Sequence, residues 1–159
     1  MANLTIVTVG SLKEGYLREA VAEYKKRLSQ YARVDEIEIK EERISNEDNR
    51  AEIETALAKE ADKILSAIPK DALKIALCVE GKQYTSEELA GLIGEGNDKG
   101  GKIAFVIGSS YGLSEKVKRE CDVRLSFSKL TFPHQLMKVI LFESVYRSFT
   151  ILAGKRYHK

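Results

Sequence analysis

Tryptophan is absent from the 159 residues, and cysteine, proline, methionine and histidine occur only twice each. Cys78 and Cys121 lie 43 positions apart with no CxxC and no neighbouring histidine pair. That excludes a disulfide framework and predicts reduced, partly buried thiols in a reducing compartment, with no metal site. With only Pro69 and Pro133, no proline-rich linker divides the chain, and one domain over 1–159 is expected. Long apolar runs are missing as well. Runs such as residues 139–142 are far too short to span a bilayer, so no membrane partner is expected. The opening MANLTIVTVG lacks a basic segment followed by a long apolar one, and a cytoplasmic location is expected. A strong charge of one sign is lacking too, the net being +2. Its distribution is uneven: residues 1–114 hold 16 Lys and Arg against 20 Asp and Glu, residues 115–159 hold 10 against 4. A basic C-terminal part suits a polyanionic partner, and equally suits chance segregation.

What is present is alternation. Residues 4–9 form a β-rich run ending at Gly10, and 14–31 carry Leu17, Ala20, Val21, Tyr24, Leu28 and Tyr31 at helical spacing. Residues 34–39 alternate as a half-exposed strand, 40–49 read as a charged mobile surface loop, and 50–68 as a helix stopped by Pro69. Residues 72–79 form a strand entering a turn at Glu80-Gly81-Lys82. Thr85 then opens a helix with a capping box to Glu88, and Tyr84 and Leu89 are placed for a hydrophobic staple. Glycines 94, 96, 100 and 101 are expected to end that helix. A buried strand at 103–107 runs into Gly108–Gly112, a short helix begins near Ser114, and 123–127 form the last strand. Thr131 as N-cap, with Pro133 near the first turn, opens a long helix to about Leu152, followed by a basic tail. Strands separated by helices predict an α/β fold with a mostly parallel sheet and ligand sites at the strands' carboxyl ends. The last helix is apolar around most of its circumference and so needs cover on two sides: the sheet, and either neighbouring helices or a second copy of the chain.

Three segments can carry chemistry. FVIGSSYGL, residues 105–113, is a strand–glycine–helix turn whose backbone N–H groups can approach a ligand, although it matches neither GxGxxG nor GxxxxGK[ST]. LSFSKLTFPH, residues 125–134, alternates small polar and apolar groups, as a cleft taking an adenine would, and as an ordinary helix entry also does. The tail with Arg147, Lys155, Arg156, Tyr157, His158 and Lys159 offers cations for phosphates and rings for an unpaired base, or is simply a basic terminus. Glu143 and Arg147 stand at i, i+4, an ordinary helical ion pair if they reach water and a functional one if buried. His134 is either a structural histidine or a catalytic one.

Taken in order, FVIGSSYGL, LSFSKLTFPHQLMKVILFESVYRSF and a terminal YHK resemble the RlmH family, the pseudouridine N3-methyltransferases of large-subunit ribosomal RNA. LTIVTVGSLKEGY, the EYKKRL helix and LCVEGKQYTSEELA are similar to the same family, so the likeness spans the chain. The resemblance implies a SPOUT fold whose C-terminal part, about residues 72–159, is tied in a trefoil knot. It also implies S-adenosylmethionine as cofactor, a homodimer, and the assembled ribosome with its large-subunit RNA as partner. By position it places cofactor contacts on Leu77, Gly108, Phe127, Ser128, Lys129, Leu130, Thr131 and Phe132. Catalytic and substrate roles fall on His134, Glu143, Arg147, Tyr157 and His158. Many relatives carry a second glycine where Ser109 stands and another residue at Tyr111, which leaves backbone binding intact but narrows the pocket mouth.

Methyl transfer from a sulfonium is an in-line displacement, so protein groups position the reactants and manage the acceptor's proton. The imide N3 of pseudouridine is a poor nucleophile until deprotonated. A base (His158 or Glu143) or a cation stabilising the developing oxyanion (Arg147) is expected to help, with the Tyr157-His158 tail contacting the base, in its own chain or in a partner's. Two rival readings are a non-catalytic RNA- or ribosome-binding module of the same fold, and an enzyme taking another adenine nucleotide. The first predicts a disrupted cofactor cleft, and LSFSKLTF shows no such disruption; the second predicts phosphate-binding cations between Gly108 and Ser114, where there are none.

Overall fold

Five strands with apolar side chains on both faces can be buried only between two layers of helices. The computed structural model, which describes residues 1–157, has that arrangement. The elements run β1 (Ala2–Val9), α1 (Gly15–Leu28), β2 (Ala32–Ile39), α2 (Arg50–Ala67), β3 (Leu73–Gln83), α3 (Ser86–Asp98), β4 (Lys102–Ile107), α4 (Glu115–Glu120), β5 (Val123–Ser126) and α5 (His134–Leu152). All strand pairs are parallel, in the order β2-β1-β4-β3-β5. One face packs Leu4, Ile6, Ile103 and Phe105 against α1, α3 and α5; the other packs Val7, Val9, Ala104 and Val106 against α2 and α4. Parallel strands put all five carboxyl ends on one edge, where loops from separate parts of the chain converge.

Local signals account for much of this. The capping box forms in full: Glu88 N–H donates to Thr85 Oγ1 at 3.1 Å and Thr85 N–H to Glu88 Oε2 at 2.8 Å. Asn49 caps α2 by accepting from Glu52 N–H. Residues 40–49 form no regular element, yet they are tied down rather than loose. Ser45 and Asn46 donate to Glu52, and Glu42 N–H donates to the buried Glu60 at 2.9 Å.

Four expectations are corrected. Glu80-Gly81-Lys82 is no turn: β3 runs on to Gln83, with its register against β5 shifting between Leu77 and Lys82. Glycine signals a bulge as readily as a turn, and a Cβ on Gly81 would lie 2.6 Å from Arg124 O. Gly94 and Gly96 sit inside α3, and the chain reverses only at Gly100 and Gly101. Thr131 is not the cap of α5; Pro133 holds that position without a side-chain bond, and the helix begins at His134. The last strand closes one residue early, at Ser126.

The helix α5 lies across the sheet between α1 and α3, burying Leu141, Phe142, Val145 and Phe149. These neighbours supply most of the cover its apolar circumference requires, while Leu136 and Leu152 stay exposed. It also buries a charge. Lys138, 3% exposed, pairs with Glu36 of β2 at 2.9 Å, and Glu36 pairs with Lys25 of α1 at the same distance. Among the described residues no helix is long and apolar enough to cross a membrane.

Candidate active site

The loops after β4 and β5 and the stretch Leu77–Glu80 of β3 enclose a cleft of about 320 Å³. Its floor is apolar: Leu77 from β3, Ile107 from β4, Leu125 from β5 and Met137 from the first turn of α5. The loop after β4 folds back on itself, Gly112 N–H donating to Ser109 O at 2.8 Å and Tyr111 N–H to Ser109 Oγ at 3.3 Å. Gly112 sits at φ +83°, and Gly108 lies so close to it that a Cβ there would meet Gly112 O and come within 2.6 Å of its carbonyl carbon. Glycine is required at both positions, and the tight turn they permit, with Ser109, Ser110 and Tyr111 between them, forms one wall of the cleft. The loop after β5 is held in a serine turn. Ser126 Oγ donates to Ser128 O at 3.1 Å, and Leu130 N–H donates to Ser128 Oγ at 3.0 Å. That turn presents Phe127, Ser128, Leu130, Thr131 and Phe132 to the opposite wall.

Of the eight residues assigned to the cofactor by resemblance, seven line this cleft: Leu77, Gly108, Phe127, Ser128, Leu130, Thr131 and Phe132. Lys129 is exposed and points elsewhere, and His134 joins the lining. Lining residues not read from the sequence are Val79 and Glu80, which the continuation of β3 brings to the rim, and Lys118 and Met137. Lys118 Nζ donates to Glu80 in a tight ion pair, which holds the Glu80 carboxyl below its ordinary range. Cys78 is half-buried here, and burial pushes its thiol up, so it is a weak nucleophile. Among the described residues no group of three or more His, Cys, Asp or Glu is placed to hold a metal.

The remaining catalytic candidates gather elsewhere. Glu143 and Arg147 lie 9 and 13 residues along α5 from His134, which at the helical rise is about 13 and 20 Å from the cleft end. There Arg147 donates to Glu143 Oε1 through Nη2 at 2.5 Å and Nε at 3.1 Å, and the tail folds back so that Tyr157 OH donates to the same oxygen at 3.2 Å. The guanidinium also stands 4.9 Å over the Tyr157 ring, which meets Tyr146 edge-on at the same separation. Burial, then the Glu143 charge, pushes the Tyr157 phenol up to about 12; it is a hydrogen-bond donor at neutral pH and not a base. His158 lies outside the described residues.

The cleft fits an adenosyl donor on its own terms: apolar walls for a base, a glycine-flanked turn with two serines for polar edges, and a volume in the small-ligand range. The family model described as "Predicted SPOUT methyltransferase" matches residues 2–158. The chain is 48% identical over 158 residues to "Ribosomal RNA large subunit methyltransferase H" of Shouchella clausii (strain KSM-K16), covering 99% of each chain. It is 45% identical over 156 residues to the protein of the same name from Caldicellulosiruptor saccharolyticus (strain ATCC 43494 / DSM 8903 / Tp8T 6331), covering 98% of this chain and 99% of the relative. The solved structure "Crystal Structure of Probable Methyltransferase from Bordetella pertussis Tohama I" shares the fold at 14% identity, with a TM-score of 0.56 over 92% of this chain and 96% of that one. The chain therefore belongs to the SPOUT methyltransferase family, among the relatives named ribosomal RNA large subunit methyltransferase H.

Proposed function

We propose that this protein methylates N3 of a pseudouridine in large-subunit ribosomal RNA on the assembled ribosome, in the cytoplasm, with S-adenosylmethionine as donor. The observation that carries the reading is the cleft itself, where the tight Gly108–Gly112 turn and the Phe127–Phe132 loop both line the space at the carboxyl edge of the sheet. Leu77, Gly108 and the 127–132 loop hold the donor, which supplies an electrophilic methyl carbon whose bond to sulfur breaks as the bond to nitrogen forms. The apolar floor excludes water from the reacting centre. The segment from about residue 72 onward is knotted around this pocket.

The protein acts as a homodimer. Within one chain, Arg147 lies about 20 Å along α5 from the cleft end and Tyr157 is folded back beside it, so the corresponding groups of a second copy complete the site. Arg147 stabilises the charge that develops on the acceptor's carbonyl oxygen as N3 loses its proton. Glu143 holds the guanidinium by a doubled contact, and Tyr157, remaining protonated, donates to the base; His158 is assigned a base-contacting role with it.

The test is incubation with labelled S-adenosylmethionine and ribosomes lacking the modification, followed by mass mapping of the product nucleoside. The expected result is one methyl group on N3 of one pseudouridine. Failure of the purified, folded protein to take up the donor or its demethylated product in calorimetry, or label on another nucleoside, contradicts the proposal.

A further inference from the structure

A second cavity, of about 570 Å³, opens at the carboxyl ends of β1 and β2, lined by Gly10, Ser11, Lys13, Glu38, Lys40, Glu41, His134 and Gln135 among others. It is not part of the donor cleft, but one residue belongs to both: His134, first residue of α5, forms a wall of each. Gly10 lies at the junction. Its φ of +88° suits glycine alone, and a Cβ there would lie 3.7 Å from both His134 Nε2 and Glu41 Oε2. The missing side chain thus leaves an imidazole nitrogen and a carboxylate oxygen bordering the same space.

The rest of the lining is built rather than accidental. Gly10 N–H donates to Ile39 O at 2.8 Å, fixing the loop after β1 to the end of β2. Arg18 Nη1 donates to the carbonyls of Leu12 and Lys13 at 3.0 and 2.8 Å. Lys13 N–H donates to Gln135 Oε1 at 3.1 Å, so the carboxamide presents its NH₂ end to a ligand. Lys13 and Lys40 are exposed cations at the rim.

We propose, resting on the methyltransferase reading above, that this second cavity holds the acceptor pyrimidine nucleotide and that His134 takes the proton of its imide nitrogen. A uracil-type ring presents an N–H between two carbonyls. His134 Nε2 meets the N–H, the Gln135 NH₂ donates to a flanking carbonyl, and Lys13 and Lys40 meet the nucleotide's phosphates. The proton moves from the imide nitrogen to Nε2. The electron pair it leaves attacks the methyl carbon, and the methyl–sulfur bond breaks as the nitrogen–carbon bond forms, so that the demethylated donor leaves as a neutral thioether. The imidazolium so formed is stabilised by Glu41, a positioning residue, and releases its proton to water. The charged groups bordering the imidazole are Glu38, Lys40 and Glu41 at the end of β2, Lys13 after β1, and Lys138 one turn along α5, with the Glu80–Lys118 pair across the donor cleft.

Three variants of the full-length protein test this with wild type alongside. Ser11→Trp fills the second cavity from a residue outside the donor cleft. It should keep its calorimetric affinity for S-adenosylmethionine within twofold and lose methylation of unmodified ribosomes by more than about 100-fold. His134→Gln, assayed at saturating S-adenosylmethionine because the residue also borders the donor cleft, should slow single-turnover methylation by about 100-fold or more and lose the acid limb of the pH–rate profile. Glu41→Gln should lower the single-turnover rate with little change in ribosome KM, and Glu41→Asp should restore part of it. Without any donor, uridine 5′-monophosphate titrated at millimolar concentration should shift the His134 imidazole NMR signals of wild type and not of Ser11→Trp. Undiminished methylation by Ser11→Trp, donor affinity lost in parallel with rate in that variant, an unchanged pH profile in His134→Gln, or nucleotide shifts absent from wild type would each overturn the assignment. If wild type itself leaves ribosomes unlabelled, the methyltransferase reading falls along with it.

Discussion

The two ends of α5 are built from different materials. At its first turn, His134 and Met137 border a half-open cleft made of a glycine-flanked turn and apolar walls, with a single ion pair, Glu80–Lys118, at the rim. Toward its last turns, Glu143 and Arg147 are locked to each other and to Tyr157 in a dense knot of charge and aromatic rings, with Tyr24, Tyr31 and Arg27 close by. The first end offers an apolar cleft for the flat adenine of a donor, but the cleft itself holds no arginine to stabilise charge developing on an acceptor oxygen. The second can stabilise charge but has no cleft. A chain arranged in this way separates binding from electrostatics, and the methyltransferase reading needs a second copy to bring the two together.

The largest effect expected is at the cleft end. Gly108→Val puts carbon atoms where Gly112 O and Leu113 Cδ2 stand. Overpacking of this kind costs about 1–3 kcal/mol, which leaves the fold intact while distorting the glycine turn. Donor affinity should drop by roughly 100-fold, about 2.7 kcal/mol, with methylation following it; calorimetry with S-adenosylmethionine checks this directly. Arg147→Ala should do the converse. Donor affinity stays near wild type, and single-turnover methylation drops by about 10²–10³-fold, the range seen when one group stabilising an oxyanion is removed. Co-expressing the two inactive variants sharpens the contrast. If the ends meet across a dimer, roughly a quarter of wild-type activity should return, because mixed dimers carry one complete site. If both ends serve the same chain, none returns.

How much of this was legible in the sequence differs by element. Thr85 and Glu88 are three residues apart and announce the cap of α3 locally, and the alternation of strand and helix needs no long-range information. The FVIGSSYGL turn is equally local, since Gly108 and Gly112 are required by contacts between themselves. What could not be read is whatever depends on pairing distant segments. The bulge that carries β3 past Gly81 exists because β5 lies alongside, and without it Val79 and Glu80 would not reach the cleft. The folding of Tyr157 onto Glu143, the sharing of His134 between two cavities, and the Lys138–Glu36 pair depend on tertiary arrangement that no spacing displays.

That buried pair gives the next effect in size, on stability and not on chemistry. Lys138→Met keeps the side chain's bulk and leaves Glu36 with Lys25 alone; about 2 kcal/mol of destabilisation is expected, less than for an orphaned buried charge because one partner remains. Although burial opposes its ionisation, hydrogen bonds from Lys138 and Lys25 hold the Glu36 carboxyl below its ordinary value. A depressed carboxyl stabilises the fold above the unfolded-state value and loses that contribution as pH falls through the folded one. The gap between wild type and Lys138→Met in thermal melts should therefore be full at pH 7 and narrow on acidification below the usual carboxylate range. A gap independent of pH would mean that packing of the lysine stem, and not its charge, is what α5 requires midway between its two ends.

The smallest effect expected is a gain. Glu60 of α2 is 3% exposed, with Oε2 accepting from Glu42 N–H and Oε1 buried without a partner. Burial, with Glu41 and Glu42 nearby, holds its carboxyl above the ordinary value. A raised carboxyl is a liability at neutral pH: the unfolded chain ionises first, so stability is lost as pH climbs from the unfolded-state value to the folded one. Glu60→Gln keeps an oxygen for Glu42 N–H and removes the charge. It should raise stability by about 1 kcal/mol, a Tm increase of roughly 3 °C for a domain of this size. The increase should be complete above the folded pKa and vanish in acid, where wild type is itself neutral. Because Glu60 anchors the segment that carries Glu41 past the second cavity, the variant also tests whether that segment's geometry or its charge matters there. Unchanged methylation with a higher Tm assigns Glu60 to the scaffold alone, whereas slower turnover at unchanged donor affinity places it beneath the acceptor side of the site.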